Sequence, residues 1–165
     1  MKHINPTNSE LKIGQETHSY TVAQAITSLK KAERQLQQFA EILSNSTDML
    51  GYVDKNFVYL SVNNAYCTAT QLSQHQIIGK TIQEVYGNEF FEWVLEPKVK
   101  KVLSGKSVKF KAWFNLAGSG KRFLDITYYP HAGTDGEILG FVIKGRDITE
   151  RVMTMAKLIA EIQQK

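Results

Sequence analysis

The residue types that do chemistry in proteins occur here singly and far apart. Cys67 is the one cysteine, and the four histidines, His3, His18, His75 and His131, lack the clustered spacing that a metal site requires. No serine, histidine and aspartate stand out as a catalytic triad, and no pair of carboxylates is placed for acid–base work. The sequence therefore predicts no catalytic residue and no metal ligand, and we expect no enzyme on this chain.

Two segments look like phosphate-binding loops but lack the context that such loops need. Ile78-Gly79-Lys80-Thr81 has the last three letters of a P-loop, but Gln74 stands where the first glycine is required. Gly118-Ser119-Gly120-Lys121 is followed by Arg122 and lies in a predicted turn between two strands. Because neither segment opens a helix after a strand, we expect neither to bind phosphate.

A long N-terminal helix is indicated by apolar residues that repeat at alternating intervals of three and four, a heptad pattern. The repeat consists of Val22, Ala25, Leu29, Ala32, Leu36, Phe39 and Leu43. An isolated helix with such a seam is marginal, and pairing with a second copy would bury the seam. We therefore expect a parallel homodimer. Its predicted interface is Val22, Leu29, Leu36, Phe39 and Leu43.

A second helix is indicated at the C-terminal end. Asp147-Ile148-Thr149-Glu150 has the spacing of a capping box, with Asp147 as the predicted N-cap and Glu150 at the third helical position. A seam of Val152, Met155, Ile159 and Ile162 follows it to the chain end, which suggests that more protein followed. We expect Asp147, Thr149 and Glu150 to join this helix to the segment before it.

Between the two helices the sequence alternates as strands do. A hairpin is predicted at its start, with Asn63 as the N-cap of a short helix behind it, and three strands with glycine-rich turns are predicted at its end. This order indicates an α+β domain with an antiparallel sheet. The predicted divisions are a disordered tail (1–18), an amphipathic, coiled-coil-like helix (19–46), the domain (47–147) and a C-terminal linker helix (148–165).

Composition narrows the classes of function. The chain has 165 residues, of which 42% are hydrophobic and 22% charged, as in one globular domain with an extension. Its net charge of +4 is spread over predicted helix faces, so we expect no nucleic-acid binding. No apolar run is long enough for a membrane span and no signal peptide is recognisable, so we expect a cytoplasmic fragment without membrane contact.

Five segments, in the correct order and spacing, resemble the PAS (sensory box) family. They are Tyr59-Leu60-Ser61-Val62-Asn63-Asn64-Ala65, Ile78-Gly79-Lys80, Phe123-Leu124-Asp125-Ile126-Thr127-Tyr128-Tyr129-Pro130, Asp135-Gly136-Glu137-Ile138-Leu139-Gly140 and Gly145-Arg146-Asp147-Ile148-Thr149-Glu150-Arg151. The resemblance implies a five-stranded antiparallel sheet with short helices on one face and a pocket between them. It also implies signal transduction within a larger protein that carries a histidine kinase, a diguanylate cyclase or a similar output domain. In that case the signal would leave the domain at Asp147, Thr149 and Glu150, and the linker helix (148–165) would lead toward an output domain missing from this chain.

The resemblance directs attention to a candidate ligand site between the sheet and the helices. Its predicted lining is Tyr66, Phe90, Phe91, Val94, Phe110, Ala112, Phe114, Leu124, Ile126 and Tyr128. Tyr66 and Tyr128 would be its polar handles, because a buried phenol seeks a partner. The same pattern also describes a filled core. Two functions therefore stay open: a sensor that detects a small organic molecule or a partner, and a ligand-free interaction module that uses Trp113 and Phe123 on the opposite sheet face.

No cofactor is predicted. Flavin-binding members of this family carry a reactive cysteine in a motif like Asn-Cys-Arg-Phe, whereas Cys67 follows Asn64-Ala65-Tyr66 in an earlier helix and is expected to be a small buried hydrophobe. Haem-binding members need an axial histidine on the helix beside the pocket. That helix is predicted from Phe90 to Leu103 and contains none, and His75 is expected in an exposed polar turn.

Overall fold

The structure is a computed structural model that describes residues 8–163, with side chains described from Tyr20 onward. The chain divides into two compact units, residues 1–42 and residues 43–165. In chain order the elements are α1 (Asn8–Ser44), β1 (Met49–Asp54), β2 (Tyr59–Val62), α2 (Asn64–Thr70), α3 (Gln74–Ile77), α4 (Ile82–Tyr86), α5 (Asn88–Phe90), a π-helical turn (Phe91–Leu95), α6 (Glu96–Leu103), β3 (Val108–Leu116), β4 (Gly120–Ala132), β5 (Ile138–Asp147) and α7 (Thr149–Gln163).

The helix α1 is longer at its N-terminal end than predicted. It begins at Asn8, so residues 8–18, which were assigned to a disordered tail, are helical, and residues 1–7 of that tail lie outside the described residues. Residues 8–18 lack the periodic apolar residues of the rest of α1, but a helix can extend without them. Once a helix exists, each further residue adds a hydrogen bond at little cost, and residues 8–18 contain no proline. The predicted interface residues Val22, Leu29, Leu36, Phe39 and Leu43 are between 52% and 69% exposed.

As expected, the five strands form one antiparallel sheet, and their order in it is β2-β1-β5-β4-β3. The predicted first hairpin is present, and its second strand, β2, begins at Tyr59. The carboxylate of Asp54 accepts from the N–H of Asn56 at 2.8 Å and of Val58 at 3.0 Å, which closes the turn. Phe57 therefore lies in the turn, with a φ of 69°, and its ring lies 5.8 Å from that of Phe91.

The segment from Phe90 to Leu103 is interrupted, although a single helix was predicted there. The N–H of Glu96 donates to the carbonyl of Phe91, five residues earlier, which is the bond of a π-helical turn. Pro97 follows directly and has no N–H to give to the carbonyl of Trp93, so the regular α-helical pattern changes at this point. The π-helical turn places Phe91 and Leu95 in the core and leaves Trp93 82% exposed.

The sheet has one buried and one outer face, and the predicted alternation of β3 and β4 is confirmed. Leu124, Ile126 and Tyr128 are at most 4% exposed and face the short helices. On the outer face Trp113 is 40% exposed and its ring lies 4.9 Å from that of Phe123. The core is therefore a layer between this sheet face and helices α2 to α6.

Asn63 joins several of these elements. It is confirmed as the N-cap of α2, since its Oδ1 accepts from the N–H of Tyr66 at 3.0 Å. The same oxygen accepts from Leu50 N–H at 3.0 Å, and Nδ2 donates to the carbonyls of Leu43 and Asp48, each at 3.0 Å. The side chain is buried, so these four bonds tie the end of α1, the start of β1 and the start of α2 together.

Replacing Asn63 by alanine is expected to lower the free energy of unfolding by about 2–4 kcal/mol, because buried backbone groups on three segments lose their partners. Urea denaturation followed by circular dichroism would measure this. Asn64→Ala is the matched control, since Asn64 is the exposed first residue of α2. Equal stability of the two variants would show that the Asn63 network contributes little.

Candidate functional site

Three tyrosine hydroxyls form a hydrogen-bonded chain inside the domain. Tyr59 comes from β2, Tyr66 from α2 and Tyr86 from the last position of α4. The hydroxyl oxygens of Tyr59 and Tyr66 are 2.6 Å apart, and those of Tyr66 and Tyr86 are 2.7 Å apart. Burial raises the pKa of Tyr59 and of Tyr66 well above the ordinary value of 10, and it raises the pKa of Tyr86 to about 12. The phenols are therefore neutral near pH 7.

Tyr128 on β4 is a fourth buried tyrosine beside this chain. It is 2% exposed, and its ring packs against Phe110 at 5.3 Å and against Phe141 at 5.0 Å. Burial raises the pKa of Tyr128 far above its usual range. Among the described residues its hydroxyl has no hydrogen-bond partner, whereas a buried phenol usually has one.

These four tyrosines surround a small cavity of about 20 Å³. Such a volume is enough for about one water molecule, whereas sites for drug-sized ligands span roughly 300–1,000 Å³. Its lining consists of Met49, Tyr59, Tyr66, Tyr86, Phe114, Leu124, Ile126, Tyr128, Ile143 and Gly145. The core is thus nearly filled in this conformation, with one polar point where the tyrosines meet.

Half of the predicted lining surrounds this cavity and half does not. Tyr66, Phe114, Leu124, Ile126 and Tyr128 line it. The other predicted residues are part of the core or pack against it: Phe90, Phe91, Val94, Phe110 and Ala112.

The prediction omitted five lining residues, namely Met49, Tyr59, Tyr86, Ile143 and Gly145. Strand alternation would have indicated Met49, Tyr59 and Ile143, because each faces the same side as the rows already chosen. Tyr86 ends a five-residue helix, too short for its direction to be read from periodicity.

The other reactive residues stay apart from this cavity. Cys67 is half-buried on α2, where burial raises the pKa of its thiol, and His75 is exposed on α3. In the described part of the chain no three His, Cys, Asp or Glu side chains group as a metal site would need. The described helices also include none with the length and apolarity to cross a bilayer.

A family model described as "PAS fold" matches residues 43–153 of the chain. This chain belongs to the PAS-fold family. Its structure resembles the PAS domain of an HTR-like protein from Haloarcula marismortui, with a TM-score of 0.62 and 18% identity over 74% of this chain and 98% of that one. It also resembles a phage VqmA–DPO complex, with a TM-score of 0.58 and 17% identity over 79% of this chain and 61% of that one.

Among curated proteins, histidine kinase 5 of Arabidopsis thaliana is 27% identical over 143 residues. The match covers 87% of this chain but only 15% of that kinase, so the chain spans a small part of its length. The PAS domain is thus related to a segment of a histidine kinase.

The exit from the PAS domain is built differently from the predicted capping box. α7 begins at Thr149, and its first helical bond runs from Val152 N–H to the carbonyl of Ile148, so Ile148 and not Asp147 is the N-cap. Asp147 Oδ1 instead accepts from the N–H and the hydroxyl of Thr149 at 2.9 and 2.5 Å. Glu150 is exposed and makes no hydrogen bond to Asp147 among the described residues.

The cause of this shift is competition from β4. Thr149 Oγ1 accepts from Phe123 N–H at 2.8 Å, and Ile148 N–H donates to the carbonyl of Phe123 at 2.9 Å. These bonds extend sheet pairing past Asp147, so the helix starts one residue later. Thr149 is buried, and it attaches the first turn of α7 to the sheet.

The other end of the PAS domain is held by Asp48, just before β1. Its carboxylate accepts from Arg146 Nε at 2.7 Å and from Arg146 Nη2 at 2.9 Å, and Lys144 Nζ lies 3.4 Å away. The hydrogen bonds from Arg146 hold the pKa of Asp48 below its ordinary value of 3.8, against the effect of burial. Asp48 thus ties the segment after α1 to the last strand before α7.

Alkaline pH is expected to destabilise the PAS domain through the buried tyrosines. Their pKa values are raised on folding, so above pH 10 the unfolded chain loses protons that the folded chain keeps, and stability falls as pH rises. Phenolate absorbance and circular dichroism recorded in one titration would test this. Ionisation of all seven tyrosines near pH 10 in a folded protein would contradict it.

Asp48→Asn is expected to lower the free energy of unfolding near neutral pH by about 1–2 kcal/mol, a modest loss because Arg146 is mostly exposed. The folded-state pKa of Asp48 is lowered, so its contribution is present above pH 3.8 and is lost as pH falls further. The difference between the two proteins should therefore shrink in acid. Urea denaturation at neutral pH and below pH 3.8 measures the difference in stability, with Glu92→Gln, at an exposed position, as control. A constant difference across pH would refute the assignment.

Proposed function

We propose that this chain is a non-enzymatic sensing and dimerisation module, which relays the state of its PAS domain through flanking helices to an output domain. The observation that carries the proposal is the pair of uncovered apolar seams. The seam of α1 is more than half exposed, and on α7 the side chains of Met155, Ile159 and Ile162 are 50–67% exposed. Apolar seams of heptad spacing are best buried against a second copy.

The ends of the PAS domain support a relay. The end of α1 is bonded to Asn63, and the start of α7 is bonded to Phe123 through Thr149. A change in the sheet or in α2 would thus reach both flanking helices through short, partly buried hydrogen bonds. A signal must favour one of two arrangements of the pair, because a ligand shifts an equilibrium only by its difference in affinity.

The proposed output is a histidine kinase, which the relationship to the Arabidopsis kinase supports. A diguanylate cyclase stays the alternative prediction for the output domain. The cytoplasmic location and the absence of nucleic-acid binding also stay predictions. The proposed input is a small organic molecule in the core or a protein partner. The similarity in fold to phage VqmA in its complex with DPO supports a bound molecule as the input.

A second candidate is a ligand-free interaction module, and the small cavity of about 20 Å³ favours it. In that case the input is a protein that binds the outer face of the sheet. Exposed Trp113 and half-buried Phe123 form an aromatic pair on that face, with Lys121 Nζ 5.3 Å from the centre of the Trp113 ring. Aromatic and cationic groups of this kind are common anchors of protein interfaces.

The double variant Leu36→Asp with Phe39→Asp is expected to convert a dimer of the full chain into a monomer, because two charges would enter the buried seam. Light scattering coupled to gel filtration reports the mass. Gln37→Asp with Gln38→Asp adds the same charge at neighbouring exposed positions off the seam and should leave the dimer intact. A dimer in the Leu36/Phe39 variant would disprove this interface.

A further inference from the structure

The tyrosines around the core cavity hold more hydrogen-bond donors than the protein uses. The chain of Tyr59, Tyr66 and Tyr86 has three hydroxyl hydrogens but only two hydrogen bonds between its members. Tyr128 adds a fourth hydroxyl, which has no partner among the described residues. Two O–H donors on the cavity lining are therefore left without a protein acceptor among the described residues, one on Tyr128 and one on the tyrosine chain.

The rest of the lining specifies what the missing acceptor can be. It consists of Met49, Phe114, Leu124, Ile126, Ile143 and Gly145, none of which carries a charge or a side-chain donor. An anion would thus find hydroxyls but no cation, and an ammonium group would find no carboxylate. Burying an unpaired ion costs far more than two hydrogen bonds return, so a charged ligand is disfavoured.

We propose that the core cavity selects a neutral small molecule that presents a carbonyl-type oxygen to Tyr128 and to the tyrosine chain, with the rest of the ligand apolar. A carbonyl oxygen has two lone pairs and no hydrogen, which matches two converging donors. This inference rests on the proposed sensing function, and it adds the chemical class of the signal.

The ligand needs more room than about 20 Å³, and Tyr86 is the side chain placed to provide it. Tyr86 is the lining tyrosine that reaches the surface, since Tyr59, Tyr66 and Tyr128 are at most 3% exposed. It ends α4, and Gly87 follows with a φ of 86°, a conformation that favours glycine. Outward rotation of its ring would break the hydrogen bond to Tyr66 and the ring contact with Phe114, whose centroid lies 5.5 Å away.

Ligand contact would then act on the segment that holds α1. Tyr66 N–H donates to Asn63 Oδ1, and Asn63 Nδ2 donates to the carbonyl of Leu43 at the end of α1. When the Tyr66 hydroxyl replaces its hydrogen bond to Tyr86 by one to a ligand, the position of Tyr66 on α2 changes. The cavity and the end of the N-terminal helix are thus two hydrogen bonds apart.

Three probes with one six-membered ring separate the chemical classes: cyclohexanone, cyclohexylammonium and cyclohexanecarboxylate. Each is titrated into the full chain, with NMR resonances of the tyrosine rings as the readout, in the millimolar range expected of such small ligands. Cyclohexanone should shift Tyr128 and Tyr66 saturably, and the two ions should not. Tyr128→Phe should weaken its binding about tenfold while the protein stays folded, because only an unpaired hydroxyl is removed.

Tyr129→Phe is the matched control, because Tyr129 is 45% exposed on the outer face of the sheet, and it should leave binding unchanged. Tyr86→Ala should tighten binding, since the ring no longer has to be displaced. Equal binding of either ion, an unaffected Tyr128→Phe variant, or no binding of the ketone would overturn the ligand class. Light scattering distinguishes the failure of the two proposals. If the protein is a dimer but does not bind the ketone, only the ligand class is refuted. If it binds the ketone as a monomer, only the dimeric relay is refuted.

Discussion

The junction of residue 43, the start of β1 and the start of α2 depends on one buried amide. Asn63 accepts from two backbone N–H groups and donates to two backbone carbonyls, so it satisfies groups of four residues on three segments of the chain. Only an amide side chain of this length offers both functions at once, since aspartate lacks the donors and a hydrophobic residue lacks both. The end of α1, the start of β1 and the first turn of α2 are fixed relative to one another by this residue. Tyr66, three positions later, is placed in the core as a consequence.

The sheet was predictable because period-two alternation and turn residues act locally. Leu124, Ile126 and Tyr128 had to face one side, and the glycines between the strands had to mark the turns. The errors lie where distant segments compete for the same groups. Asp147 and Glu150 have the spacing of a capping box, but Phe123 is 24 positions before Asp147 and takes both Ile148 and Thr149 into sheet-like bonds. No local pattern contains that information.

The candidate site shows the same limit in another form. Alternation along β4 indicates which face of the sheet Tyr128 lies on and therefore that it is buried. It does not give the distances between tyrosine hydroxyls that lie on three different elements. The contact of Tyr59, Tyr66 and Tyr86 requires the register of β2, the cap at Asn63 and the end of α4 to coincide. Whether space remains between sheet and helices depends on the volumes of all the side chains together. That quantity emerges only from the packed structure.

The place of β5 in the sheet has a consequence for how the molecule is made. The last strand to be synthesised lies between β1 and β4, so it joins two hairpins that are otherwise not paired to each other. Until residue 147 has left the ribosome, the β1–β2 and β3–β4 hairpins have no common partner, and the core they cover stays open to solvent. Folding must therefore wait for the whole domain and close contacts almost 100 residues apart, as between Met49 and Gly145, which predicts slow, late closure. Any segment translated after α7 would then begin to fold beside a PAS domain whose sheet has only just closed.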